Sequence, residues 1–69
     1  MLKIGTYQHF KGNYYQVLHI ARHSETEEYM VVYHPENNKN DIWVRPLNMF
    51  AETIEINGNK QQRFSYINK

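Results

Sequence analysis

The sequence predicts an all-β fold, and three observations carry that prediction. Short runs of alternating apolar and polar residues recur with turn residues between them every few positions, the pattern of a small β structure. No stretch keeps apolar residues at helical spacing for more than a turn or two. The 69 residues include six tyrosines, and aromatics make up 14% of the chain; large rings are how a small barrel fills its middle. Together these describe a small, partly open barrel of five to six short strands with one short helical turn.

Gly5 to Phe10 reads as a first strand and Lys11-Gly12-Asn13 as the turn after it, since Gly and Asn tolerate the positive φ of a tight hairpin. Tyr14 to His23 is the longest strand candidate. One face carries Tyr15, Val17, His19, Ala21 and His23; the other carries Tyr14, Gln16, Leu18, Ile20 and Arg22. Neither face is purely polar, which suits a sheet curling on itself. Ser24 to Glu27 is turn-like, and Glu28 to His34 is the next strand. A four-residue loop between them pairs Arg22 with Tyr29, Ile20 with Val31, Leu18 with Tyr33 and Val17 with His34.

Pro35 to Asp41 is the most polar segment and reads as a loop. Ile42 to Arg45 returns as a strand that Pro46 ends, because proline has no N–H to give the ladder. Leu47, Met49 and Phe50 then form a helical turn, at Leu47 to Ala51, whose apolar side chains plug the core. Thr53 to Ile56 alternates and meets Asn57-Gly58, the strongest hairpin signal in the chain, after which Lys60 to Ile67 returns as a last strand. The architecture is that of an SH3-like barrel.

Length and charge bound the function. The chain has room for one domain, residues 1–69, and reads as complete. It has no cysteine, hence no disulfide framework and no thiolate zinc site, which fits a reducing compartment. A net charge of +1 generates no strong field toward nucleic acid or anionic lipid. No signal peptide or membrane-length apolar run is present. The expectation is a cytoplasmic protein with no membrane partner.

The residues Tyr7-x-His9-Phe10-Lys11-Gly12-x-Tyr14-Tyr15-x-Val17-Leu18, then Ala21-Arg22-His23-Ser24-Glu25-Thr26, Val31-Val32-Tyr33, Trp43-Val44-Arg45-Pro46-Leu47-x-Met49-Phe50 and Arg63-Phe64 run in this order across nearly the whole chain. In motif and spacing they resemble the bacterial domain-of-unknown-function 1653 family. The resemblance implies a small stand-alone protein of a kind also found fused to enzymes of nucleotide metabolism, and hence an accessory or ligand-sensing module. Two places depart from the family pattern. His34-Pro35-Glu36-Asn37-Asn38 stands where Gln-Ala-Leu-Tyr-Gly is usual, and His19 stands where a small residue is usual; if the usual tyrosine of that loop contacts a ligand, this chain has lost or changed that contact.

The candidate ligand-binding residues are His9, Lys11, Arg22, His23, Glu25, Tyr33, Trp43 and Arg45. Gathered into one polar-aromatic pocket, Arg22 or Arg45 would grip a phosphate or carboxylate through its bidentate fork, and Trp43 or Tyr33 would stack on a flat ring. His9, Lys11 and His23 would form the rim. In the structural reading of the same residues, Arg22 pairs with Glu25 across a hairpin end, His23 caps loop backbone and Trp43 fills the core. A cation at Arg45, between Val44 and Pro46, must find a partner or reach solvent.

Four histidines raise a metal site, but there is no cysteine and no paired ligand spacing, so surface histidines are expected and no cofactor or metal. His23-Ser24-Glu25 spells triad residues, yet neighbours in an extended chain diverge, and triad members must converge from separate places. No phosphate loop or nucleophile elbow is present. The reading is therefore a non-catalytic binding module for a small anionic or nucleotide-like ligand, or for a protein partner. The alternative is an RNA- or single-stranded-DNA-binding SH3-like domain using its tyrosines to stack bases. Edge strands could pair with a second copy to make a homodimer.

Overall fold

The computed structural model describes residues 2–67. Along them run β1 (Gly5–His9), β2 (Tyr14–Arg22), β3 (Tyr29–Pro35), β4 (Trp43–Pro46), α1 (Leu47–Phe50), β5 (Thr53–Ile56), β6 (Asn59–Gln62) and β7 (Phe64–Tyr66). Five strands make an antiparallel sheet in the order β4-β3-β2-β1-β7, and β5 pairs with β6 in a separate ribbon. The sheet does not close: β4 and β7 are its edges. This is the small, open all-β architecture expected, with seven strands rather than five to six.

The extra strand comes from Arg63. The expected run from Lys60 to Ile67 breaks there, because the chain changes sheets. Arg63 donates its N–H to the Glu52 carbonyl at 2.9 Å, while its own carbonyl accepts from the Phe10 N–H at 2.9 Å. One residue thus ends the β5–β6 ribbon and begins the pairing of β7 with β1, where His9 faces Phe64.

The β2–β3 register holds only in part. Arg22 faces Tyr29 and Ile20 faces Val31 as expected, but Tyr33 faces Val17 and His34 faces Gln16. Leu18 is the extra residue of a bulge between Val17 and His19. Its insertion resets the alternation of β2. Val17 and, three residues on, Ile20 both pack into the core, while His19 turns outward. The strand thereby sheds a histidine from its inner face that a regular pleat would have placed there.

The core consists of Tyr7, Val17, Val31, Tyr33, Phe50 and Phe64, with Leu2, Tyr15, Ile20 and Leu47 packed against it. Pro46 ends β4 in an extended conformation (φ −53°, ψ 138°) and α1 follows at once. Within one helical turn, positions three apart share a face. Leu47 and Phe50 therefore point inward and Met49 outward, so Met49 is 48% exposed and does not plug the core. Phe50 is fully buried and lies flat on Phe64, with ring centroids 4.0 Å apart and planes 4° apart. Tyr7 and Tyr33 meet Phe50 edge-on, each at 5.3 Å. Burying a ring of this size contributes about 1.5–3 kcal/mol.

Two turns follow from residues that accept positive φ. Gly12 (φ 110°) closes β1 to β2, with the Gly12 N–H donating to the His9 carbonyl and the His9 N–H to the Asn13 carbonyl. Asn57 (φ 53°) and Gly58 (φ 80°) both sit in the left-handed region, the two-residue turn that matches strand twist, and bring Ile56 opposite Asn59. Among the described residues no helix is long and apolar enough to cross a membrane.

Candidate functional site

Directly opposed residues of a ladder share a face of the sheet. Trp43 opposes Tyr33 and Arg45 opposes Val31, so Trp43 and Arg45 stand on the core side of β4. Val44, between them, points away and is 61% exposed. Because β4 is an edge strand, its core side is only half roofed, and Trp43 stays 39% exposed rather than filling the core. It meets Tyr33 edge-on at 5.8 Å (88°) and Tyr15 at 5.8 Å. Tyr15 lies also within 5.7 Å of Tyr33, 5.6 Å of Phe64 and 6.4 Å of His9.

Beside these rings opens a cleft of about 500 Å³. The Tyr15 and Trp43 rings and Pro35 give it apolar walls, and Asn13, Glu36 and Asn37 give it hydrogen-bonding groups. The loop after β3 is held there by the Glu36 N–H, which donates to the Tyr14 carbonyl at 3.0 Å. Gln16 donates to Glu36 Oε1 at 3.5 Å and to Thr6 Oγ1 at 2.6 Å. Such a surface can take a flat ring against aromatic faces and read its edge with amides and a carboxylate.

Next to the cleft, Arg45 donates from Nε to the Tyr33 hydroxyl at 3.3 Å and lies over Phe64, with Cζ 5.6 Å from the ring centroid. His9 stacks near Phe10 (4.5 Å) and stands edge-on to Phe64 (4.9 Å). Burial pushes the His9 imidazole below its ordinary pKa, and the charges of Arg63, Arg45 and Lys11 push in the same direction. This corner of the molecule is therefore positive.

The other candidates are elsewhere. Arg22 is seven positions from Tyr15 along β2, roughly 23 Å at about 3.3 Å per residue. Its guanidinium donates to the Tyr29 hydroxyl at 2.6 Å, lies 4.9 Å from that ring's centroid, and pairs with Glu27 at 3.7 Å rather than with Glu25. His23 Nδ1 accepts from the Glu25 and Thr26 amides at 3.1 and 3.3 Å, capping the loop. The eight candidates thus fall into two groups. His9, Lys11, Tyr33, Trp43 and Arg45 gather at one end of the sheet, and Arg22, His23 and Glu25 at the other. Tyr33 is buried with its hydroxyl engaged, so it supports Trp43 and Arg45 instead of offering a stacking face.

The family model described as a protein of unknown function (DUF1653) matches residues 5–66. The chain belongs to the DUF1653 family. A crystal structure of a DUF1653 protein from Bordetella bronchiseptica is 34% identical, covers 96% of this chain and 87% of its own, and superposes with a TM-score of 0.84. Among curated proteins there is no match.

In this DUF1653 chain, the loop after β3 supplies Pro35, Glu36 and Asn37 to the cleft. His34, expected at the surface, is buried (8% exposed), and its Nδ1 lies 2.7 Å from the Pro35 carbonyl, to which a protonated Nδ1 donates. Among the described residues no three His, Cys, Asp or Glu side chains gather as a metal site. Sequence reasoning missed Asn13, Tyr15, Pro35, Glu36, Asn37 and Arg63. Tyr15 carried a usable signal, since it shares a β2 face with the core residue Val17. Arg63 carried only its place in the closing Arg63-Phe64 motif, because it is the change of sheets that brings it beside His9.

Proposed function

We propose that this DUF1653 protein is a non-catalytic, cytoplasmic binding module for a small planar ligand bearing an anionic group, a nucleotide-like molecule. The ring lies in the cleft against Trp43 and Tyr15, its polar edge meets Asn13, Glu36 and Asn37, and the anionic group faces the positive corner at Arg45, His9 and Lys11. The observation that carries this reading is Trp43, a large ring on the core side of the sheet that is left 39% exposed at the mouth of a cleft. A non-catalytic role accords with His23, whose Nδ1 is taken by two loop amides. The cysteine-free composition fits the cytoplasm.

A thermal-shift screen tests this with nucleosides, mononucleotides, sugar phosphates and short oligonucleotides at low and physiological salt. A ligand at a hundredfold excess over Kd stabilises the native state by about 2.7 kcal/mol, and for a domain of this size that raises Tm on the order of 10 °C. The expected result is a shift with mononucleotides that Trp43→Ala removes. A shift with oligonucleotides alone, falling steeply as salt rises, would assign the surface to nucleic acid instead. No shift at all would point to a protein partner.

A further inference from the structure

Arg45 and His9 share one platform, the ring of Phe64, with Arg45 Cζ 5.6 Å and the His9 centroid 4.9 Å from the Phe64 centroid. Arg45 directs its Nε at the Tyr33 hydroxyl, and among the described residues it forms no ion pair with a carboxylate. The terminal nitrogens of its fork keep their donors for something else. A half-buried guanidinium without an anion is an expensive arrangement in a fold this small. His9 Nδ1 accepts from the Lys11 amide at 3.2 Å, so the neutral ring carries its hydrogen on Nε2 and presents a second donor. Arg63 differs. Its Nη2 is tied to Glu52 at 3.0 Å, so it contributes field and not a free fork.

We propose that Arg45 and His9, with Lys11 at the mouth, form a receptor for a single oxyanion, the phosphate or carboxylate of a ligand whose ring lies on Trp43. This rests on the cleft being the ring-binding surface. The guanidinium fork supplies paired, charge-assisted donors and the imidazole a third. The groups facing His9 are Lys11 from the turn, Tyr15 from β2, Arg45 from β4 and Arg63 ahead of β7. Burial first, and then the three cations among them, disfavour a proton on the imidazole, and a bound anion offsets the cations' share. Binding therefore favours proton uptake at His9 and tightens as pH falls into the range where that imidazole titrates.

The test is calorimetry at low ionic strength with matched probes: adenosine 5′-monophosphate against adenosine, and 2-naphthoate against 2-naphthamide. Each anion is expected to bind about tenfold or more tightly than its neutral counterpart. The larger ratio says whether phosphate or carboxylate is preferred. Arg45→Gln is expected to bring the ratio close to one. Should that variant fail to fold, the native protein still answers: sodium sulfate, whose charge is constant over this pH range, should shift the His9 ring resonances and raise their titration midpoint. Equal affinity for anion and neutral probe, or a His9 titration indifferent to sulfate, overturns the receptor. Adenosine binding with no gain for the monophosphate overturns the receptor but leaves the cleft. A sulfate response at His9 with no ring compound binding supports the receptor and overturns the cleft.

Discussion

Arg45 reaches diagonally across the β3–β4 ladder to hydrogen-bond the Tyr33 hydroxyl at 3.3 Å, while Tyr33 itself stands edge-on to Trp43 at 5.8 Å. One buried phenol thus holds both the cation and the indole of the proposed site, and neither depends on a loop for its position. Tyr33→Phe keeps the ring and deletes the anchor. It is expected to cost about 0.5–1.5 kcal/mol in chemical denaturation, the usual worth of one hydrogen bond, and to weaken anionic ligands more than neutral ones.

Phe50 is the apolar plug of the fold, stacked on Phe64 at 4.0 Å and met edge-on by Tyr7 and Tyr33. Phe50→Ala should cost about 3–5 kcal/mol. A single core in so short a chain supplies only about 3–5 kcal/mol. Far-UV circular dichroism is expected to show a largely unfolded chain at 25 °C; a cooperative transition near the native Tm would refute this account of α1.

His9 ties stability to pH. Its folded-state pKa lies below the ordinary value near 6.5, so between the two values the unfolded chain binds more protons than the native one. Its contribution is then full above pH 6.5 and falls as pH drops through the ordinary value toward the depressed one. Native Tm is expected to decline from pH 7 to 5.5, and His9→Gln should flatten that part of the profile.

Much of the fold was legible in the sequence because local rules governed it. Asn57-Gly58 forms its turn, Pro46 ends its strand, and the β2–β3 register is right from His19 to Arg22, next to the loop that sets it. Errors arise where a distant partner decides. Leu18 bulges because Val17 and Ile20 must both reach one core, and nothing in the local alternation marks which residue is surplus. Arg63 breaks a strand because Glu52 and Phe10 claim its backbone. Five of the eight site candidates do gather at one end, and those at the opposite hairpin were joined to them only because turns look alike in sequence.

The bulge makes its own prediction. Deleting Leu18 leaves Val17 opposite Tyr33 and His19 opposite Val32, with Val17 and Ile20 still inward, so the ladder becomes regular without inverting its faces. The shortened protein is expected to unfold cooperatively, with a modestly lower Tm from lost strand curvature. Loss of the transition would mean that Leu18 itself holds the core.

Gly58 meets no neighbouring atom where a Cβ would be added, so its φ of 80° is the whole cost of replacing it. Gly58→Ala is expected to destabilise by about 1–2 kcal/mol. Amide exchange should speed up in β5 and β6, and in β1 to β4 only for the amides that exchange through global unfolding.

The most direct measurement is a ¹H–¹⁵N NMR titration of the native protein with adenosine 5′-monophosphate. The binding-module account predicts shifts centred on the Trp43 indole N–H and on Asn13, Tyr15, Asn37, Arg45 and His9, with Arg22, His23 and Tyr29 unmoved. An unchanged spectrum at millimolar nucleotide, or changes centred on Arg22 and Tyr29, would contradict it.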